Sequence, residues 1–177
     1  MSKPTFATVW LDGCSGCHMS LLDMDERLVE LGEQFDLVYS PLVDTKQFPA
    51  HVDVTLIEGS VSSDEDEHKL RHVRARTRIL VSLGDCAVTG NVPAMRNSIA
   101  VNTLMESAYV ENSTAQQQVP TWHLPTLLPR VRPVHEVVNV DVYVPGCPPS
   151  ADTIHTVISE LLSGRVPDVA ALTRFGV

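Results

Sequence analysis

No segment of this chain stays apolar over enough residues to cross a bilayer. Nor does the N-terminus, Met1-Ser-Lys-Pro-Thr-Phe, carry the apolar run and cleavage site of a signal peptide. The expectation is a cytoplasmic protein with no membrane partner. Charge is sparse as well. Charged residues make up 20%, below the usual quarter, and a surface so thinly charged suits coverage by a partner. Cations are the scarcer sign: 13 Lys and Arg face 22 Asp and Glu, for a net charge of -9. That balance excludes nucleic-acid binding through phosphate contacts. Repeats and low-complexity tracts are absent. Cysteine is limited to four residues. In a reducing compartment these point to metal or redox chemistry rather than to structural disulfides.

What the sequence does have is alternation. Its 177 residues, 44% hydrophobic, suit one domain over 1–177 with its own core. Thr5 to Leu11 predicts a strand, followed by the glycine-rich turn Asp12-Gly-Cys-Ser-Gly-Cys. A helix with Leu21, Leu22, Leu28 and Leu31 on one side then runs to Gly32. Further strands are predicted at Phe35 to Ser40, Val52 to Ile57, Ile79 to Leu83 and Val138 to Val144. Ser62 and Glu65 have capping-box spacing ahead of a helix that is acidic at its start and basic at its end. The last helix follows Ser150, with Ile154, Val157, Ile158, Leu161 and Leu162 on one stripe and Gly164 past its end. This order implies an α/β fold, flavodoxin-like, with a mostly parallel sheet and helices on both faces. The proline-punctuated stretch 97–136 reads as an ordered loop or interface insertion, with a short helix near Thr103 to Tyr109.

The cysteines fall where this outline makes them converge. Cys14 and Cys17 lie in the turn after the first strand, Cys86 just after the fourth and Cys147 just after the fifth. In a parallel sheet those strand ends share one edge, where ligand sites open. Gly13, Gly16, Gly84 and Gly146 permit tight turns beside a bulky group. Pro145, Pro148 and Pro149 stiffen the last loop. A 4Fe-4S cluster on Cys14, Cys17, Cys86 and Cys147 accounts for all four thiols. Structural zinc also takes four thiolates, usually as two close pairs. The Cys-Ser-Gly-Cys-His string matches a c-type haem attachment, and Cys14 with Cys17 could form a redox dithiol; both leave Cys86 and Cys147 unexplained. FMN, the usual flavodoxin-like ligand, wants a hydroxyl-rich loop where only Ser15 stands.

Four blocks taken in order resemble a known family. They are Cys14-Ser-Gly-Cys17 with Ser20-Leu-Leu, Glu58-Gly59-Ser60-Val61, Gly84-Asp-Cys86-Ala87 and Pro145-Gly-Cys147-Pro-Pro149. Together they are similar to the proximal-cluster domain of nickel-iron hydrogenase small subunits, over about Val9 to Leu162. The resemblance implies one 4Fe-4S cluster on the four cysteines and a large subunit carrying the nickel-iron centre. Related complex I subunits share the last block but carry adjacent cysteines at the first site, so the two-residue gap here favours hydrogenase. With all four cysteines used in these blocks, the expectation is a form without the extra clusters and export signal of membrane-type small subunits. With Gly90-Asn-Val-Pro-Ala-Met-Arg-Asn97, it resembles the soluble, NAD-reducing subgroup. That implies a relay subunit between the large subunit and a diaphorase module of iron-sulfur and flavin (FMN) subunits that reduces NAD. With no spare cysteine to hold nickel, the chain cannot split hydrogen alone.

Two residues carry separate expectations. Glu58 ends the apolar run Val54-Thr-Leu-Ile and precedes Gly59, so its carboxylate should emerge at the floor of the site. The resemblance sets it beside the cluster, as a proton relay or as an oxygen ligand in an oxidised state. His18 stands where many relatives have an acidic residue, and the expectation is a plain surface or interface residue.

Overall fold

The computed structural model describes residues 3–173; positions 1–2 and 174–177 of the expected domain lie outside them. The strands are β1 (Thr5–Trp10), β2 (Asp36–Tyr39), β3 (Val52–Glu58), β4 (Val61–Ser63), β5 (Thr77–Leu83), β6 (Leu127–Arg132) and β7 (Val142–Val144). The helices are α1 (Gly16–Leu22), α2 (Glu26–Gly32), α3 (Asp64–Arg74), α4 (Asp85–Thr89), α5 (Asn91–Ala94), α6 (Val101–Glu106), α7 (Ala151–Leu162) and α8 (Val169–Leu172).

Five strands form one sheet in the order β2-β1-β3-β5-β7, and every pairing is parallel. Counting these five alone, the order is 2-1-3-4-5, the flavodoxin-like arrangement expected from sequence. The period-two alternation of the strands divides the core. Phe6, Val54, Leu56, Val81, Leu83 and Val144 face one side, packed against Leu21, Met24, Leu31, Ile154, Val157, Ile158 and Leu161. Val9, Ile57 and Leu80 face the other, packed against Leu70, Val73, Ala87 and Val134. Each of the larger side chains among these, buried in full, contributes about 2 kcal/mol. Both faces are thus covered, which is why β3 and β5 read as nearly continuous apolar runs.

Several boundaries differ from the sequence reading, each for a local reason. The first helical pattern breaks into α1 and α2 at Asp25, whose φ is 50°; Met24 is buried there while Leu22 stays exposed. The capping box lies one residue on: Ser63, still extended, accepts from the Asp66 N–H and Asp66 reaches back. The strand expected from Val138 shortens to β7. Val137, Val138 and Val140 pack against the second core after a 3-10 turn at Val134–Glu136. Finally, 97–136 is not simply loop. It holds α6, a π-type turn at Ser107–Glu111, and β6, which pairs antiparallel with β4. Pro129 is tolerated because this two-stranded ribbon is all edge.

Candidate metal centre

The C-terminal ends of β1, β3, β5 and β7 lie side by side, and each delivers part of one site. After β1, Leu11 N–H donates to the Glu58 carbonyl at 2.8 Å, and Asp12 and Ser60 exchange backbone hydrogen bonds at 3.0 and 2.7 Å. Gly59 makes this possible. Its φ is 92°, and an added Cβ would come within 2.7 Å of the Leu11 carbonyl carbon. Ser15 then adopts a left-handed conformation (φ 64°) and starts α1. Cys14 is left exposed on the rim, while Cys17 turns inward and is buried.

The other two thiols arrive on loops that are tied together. Asp85 N–H donates to the Gly146 carbonyl at 2.8 Å, and Gly146 N–H donates to Asp85 Oδ1 at 2.7 Å. Cys86, half-buried in α4, and Cys147, exposed after β7, are therefore held by one reciprocal pair. Ser20 of α1 donates to the Pro149 carbonyl at 2.5 Å, which fastens the first thiol loop to the last. Asn91 Nδ2 donates to Cys147 Sγ at 3.4 Å.

The four expected ligands are thus brought together. Burial pushes the Cys17 thiol up strongly, and Glu58, Cys86, Cys14 and Cys147 push it further. Burial, then Cys14 and Cys147, also raise Cys86, with Glu58 adding less; an N–H from Val92 opposes the rise. Thiols that feel one another this way resist ionising together unless a cationic centre holds their charge. Two glycines keep that space clear. A Cβ at Gly84 (φ 81°) would collide with Cys17 Sγ, and one at Gly16 would lie 3.2 Å from Cys14 Sγ. The donor set and the cleared cradle fit an iron-sulfur cluster. Among the described residues no three His, Cys, Asp or Glu side chains close in on a point suited to a single ion.

Glu58 lies where the sequence reading put it, at the floor of the site, and is buried. Its Oε2 accepts from His18 N–H at 2.9 Å and its Oε1 from Cys17 N–H at 3.3 Å. His18 corrects the expectation of a surface residue. It is 1% exposed and pairs with Glu58 through Nδ1, because the first turn of α1 points it under the thiol loop. Its ring meets Trp10 edge to face at 5.2 Å, and both His18 Nε2 and Trp10 Nε1 are buried without a partner. Asp85 and Asn91 were also missed as site residues. The Gly-Asp-Cys and Gly-Asn strings that hold them were the available signal.

Comparison with known proteins identifies the family and the fold. The family model described as NADH ubiquinone oxidoreductase, 20 kDa subunit, matches residues 14–161. The NAD-reducing hydrogenase HoxS subunit delta of Cupriavidus necator is 44% identical, over 94% of this chain and 82% of that protein. A chain of the F420-non-reducing hydrogenase of Methanothermobacter marburgensis is 39% identical over 92% of this chain, which spans only 54% of that protein. A chain in the crystal structure of an NAD+-reducing NiFe hydrogenase in the H2-reduced state superposes with a TM-score of 0.92. It is 42% identical, covering 98% of this chain and 99% of that one. An oxidised NiFeSe hydrogenase from Desulfovibrio vulgaris Hildenborough shares the fold, with a TM-score of 0.62 at 18% identity over 92% of this chain and 60% of that one. The chain belongs to the NADH ubiquinone oxidoreductase 20 kDa subunit family, among its hydrogenase small subunits.

Proposed function

We propose that this chain is the electron-relay small subunit of an NAD-reducing nickel-iron hydrogenase. Cys14, Cys17, Cys86 and Cys147 would hold one 4Fe-4S cluster. The carrying observation is that three separate strand ends bring all four thiols to one sheet edge in a chain 44% identical to HoxS subunit delta. Such a cluster, when bound, accepts and donates electrons one at a time. The chain's own work is to hold the thiolates apart, clear the cradle at Gly84 and Gly16, and exclude water around Cys17. Glu58 fixes the first thiol loop. In this reading it also relays protons or serves as an oxygen ligand in an oxidised state.

The reading takes 1–177 as one domain in the cytoplasm. Two partner surfaces are expected: a large subunit with the nickel-iron centre, and a diaphorase module with FMN and the NAD site. Exposed apolar residues support coverage by partners. Met19, Val92 and Met95 are 58%, 62% and 74% exposed, and Trp122, in the expected insertion, is 84% exposed. Among the described residues no helix is long and apolar enough to cross a membrane.

Anaerobic purification, with identification of co-purifying chains and measurement of iron, nickel and flavin, tests the reading. Iron and sulfide in 4Fe-4S proportion on this chain, with a nickel-bearing partner, is the expected result. Zinc without iron, quinone-reducing membrane partners, or a flavin retained after Cys86→Ser would overturn it.

A further inference from the structure

The crossover from β2 to β3 carries no helix. Residues 40–51 form a loop that, with one side of α3, encloses a cleft of about 580 Å3. That volume falls in the range of small-molecule sites. Its wall includes Tyr39, Lys46, Phe48, Lys69, His72 and Arg76. None of the four cysteines takes part.

Two features set the cleft apart. The first is unpaired positive charge in a chain of net charge -9. Other cations on and beside α3 are neutralised: Arg71 by Glu67, Arg74 by Asp141 and Arg78 by Asp53. Lys46, Lys69 and Arg76 have no ion-pair partner among the described residues. Only Glu65 brings a carboxylate to the lining. Two of the chain's three lysines meet here. Arg76 Nη1 also donates to the His72 carbonyl at 3.1 Å, which steadies the guanidinium. His72 is held below the usual histidine range by burial first, and then by Arg76 and His68. The second feature is aromatic. Tyr39 and Phe48 meet edge to face at 5.2 Å, and Phe48 meets His72 at 6.4 Å, so three rings form one continuous wall.

We infer that this cleft binds a nucleoside monophosphate. Lys46, Lys69 and Arg76 take the phosphate, where charge-assisted hydrogen bonds are strongest. The ring wall takes the planar base, which stacks on aromatic side chains without regard to its identity. A bare oxyanion would have no use for the wall, and an uncharged ring none for the three cations.

The test is lysine footprinting of the purified complex. Lys46 and Lys69 are acetylated with and without millimolar AMP, and Lys3, away from the cleft, is the internal reference. AMP should slow labelling of Lys46 and Lys69 several-fold and leave Lys3 unchanged, while adenosine should protect neither. An Arg76→Glu chain should lose the protection at Lys46 and Lys69 with its fold intact by circular dichroism. Labelling unaffected by AMP overturns the inference. So does equal protection by inorganic phosphate alone, which would mean a simple anion site. Lys46 and Lys69 that react in the free chain but not in the complex would place a partner subunit there, and would overturn it too.

Discussion

His18 and Glu58 form a buried pair beneath the four-thiol site, and the carboxylate that binds the imidazole also receives the backbone N–H groups of Cys17 and His18. One side chain on β3 therefore sets the direction of α1, the helix that carries Cys17. A buried donor stripped of its acceptor is destabilising, so three donors depend on this single carboxylate.

Replacing it separates its roles. Glu58→Ala should destabilise the chain by about 3 kcal/mol in denaturant titration, since several buried donors lose their acceptor together. Glu58→Gln retains an acceptor oxygen. It should keep the cluster assembled while slowing turnover, or altering the air-oxidised spectrum with the reduced state near normal. Unchanged turnover with an unchanged oxidised spectrum would confine Glu58 to holding the loop.

Each thiol should be indispensable. Cys14→Ala, Cys17→Ala, Cys86→Ala and Cys147→Ala should each lose the cluster or leave a damaged one, and abolish hydrogen-driven NAD reduction. A complete 4Fe-4S cluster and normal activity in Cys147→Ala would sink the assignment.

Gly84 and Gly164 offer a matched comparison. Both have positive φ, 81° and 74°, but a Cβ at Gly84 runs into Cys17 Sγ whereas one at Gly164 meets nothing within 4 Å. Gly164→Ala should lower stability by about 1 kcal/mol with full iron content. Gly84→Ala should lose iron as well. Equal iron in the two variants would show that Gly84 does not guard the cradle.

The capping register can be read directly. Ser63 accepts from Asp66 N–H at 3.1 Å, so Ser63→Ala should lower the stability of the chain by about 1 kcal/mol. Ser62→Ala should lower it less. Thermal denaturation of the two variants decides, and the reverse order would restore the box to Ser62.

Acid should act through Asp53. The Thr5 N–H, then the Thr5 hydroxyl and the Arg78 guanidinium, hold its carboxyl below the usual range against the opposing effect of partial burial. A carboxylate lowered by folding adds stability above its ordinary pKa, and that stability fades as pH falls through the lowered value. Asp53→Asn should therefore be less stable at neutral pH and decline less on acidification. Denaturation midpoints that fall in parallel for variant and parent would refute this.

Much of the fold was legible because periodicity and strand ends are local signals. The apolar runs 52–57 and 79–83 marked central strands, and the stripe from Ile154 to Leu162 marked α7. The convergence of the four thiols was legible because parallel strand order places those strand ends on one edge. What escaped depends on partners distant in sequence. β6 exists only because Arg132 pairs with Val61, on a strand separated from it by α3, β5, α4, α5 and α6. His18 looked like surface because nothing next to it in sequence announces Glu58, forty residues on. The Asp85–Gly146 exchange joins two loops that the sequence could locate but not dock.

The spread of the thiols along the chain has a consequence for biosynthesis. Cys14 follows β1 and Cys147 follows β7, and β3 and β5 lie between those strands in the sheet. No nascent fragment ending before residue 147 contains all four thiols, and a sheet without β7 leaves the Cys147 loop undocked. If all four thiols hold the proposed cluster, that cluster can be completed only after translation has passed Cys147 and β7 has joined the sheet. Bound iron would thus certify a finished subunit to whatever assembles with it.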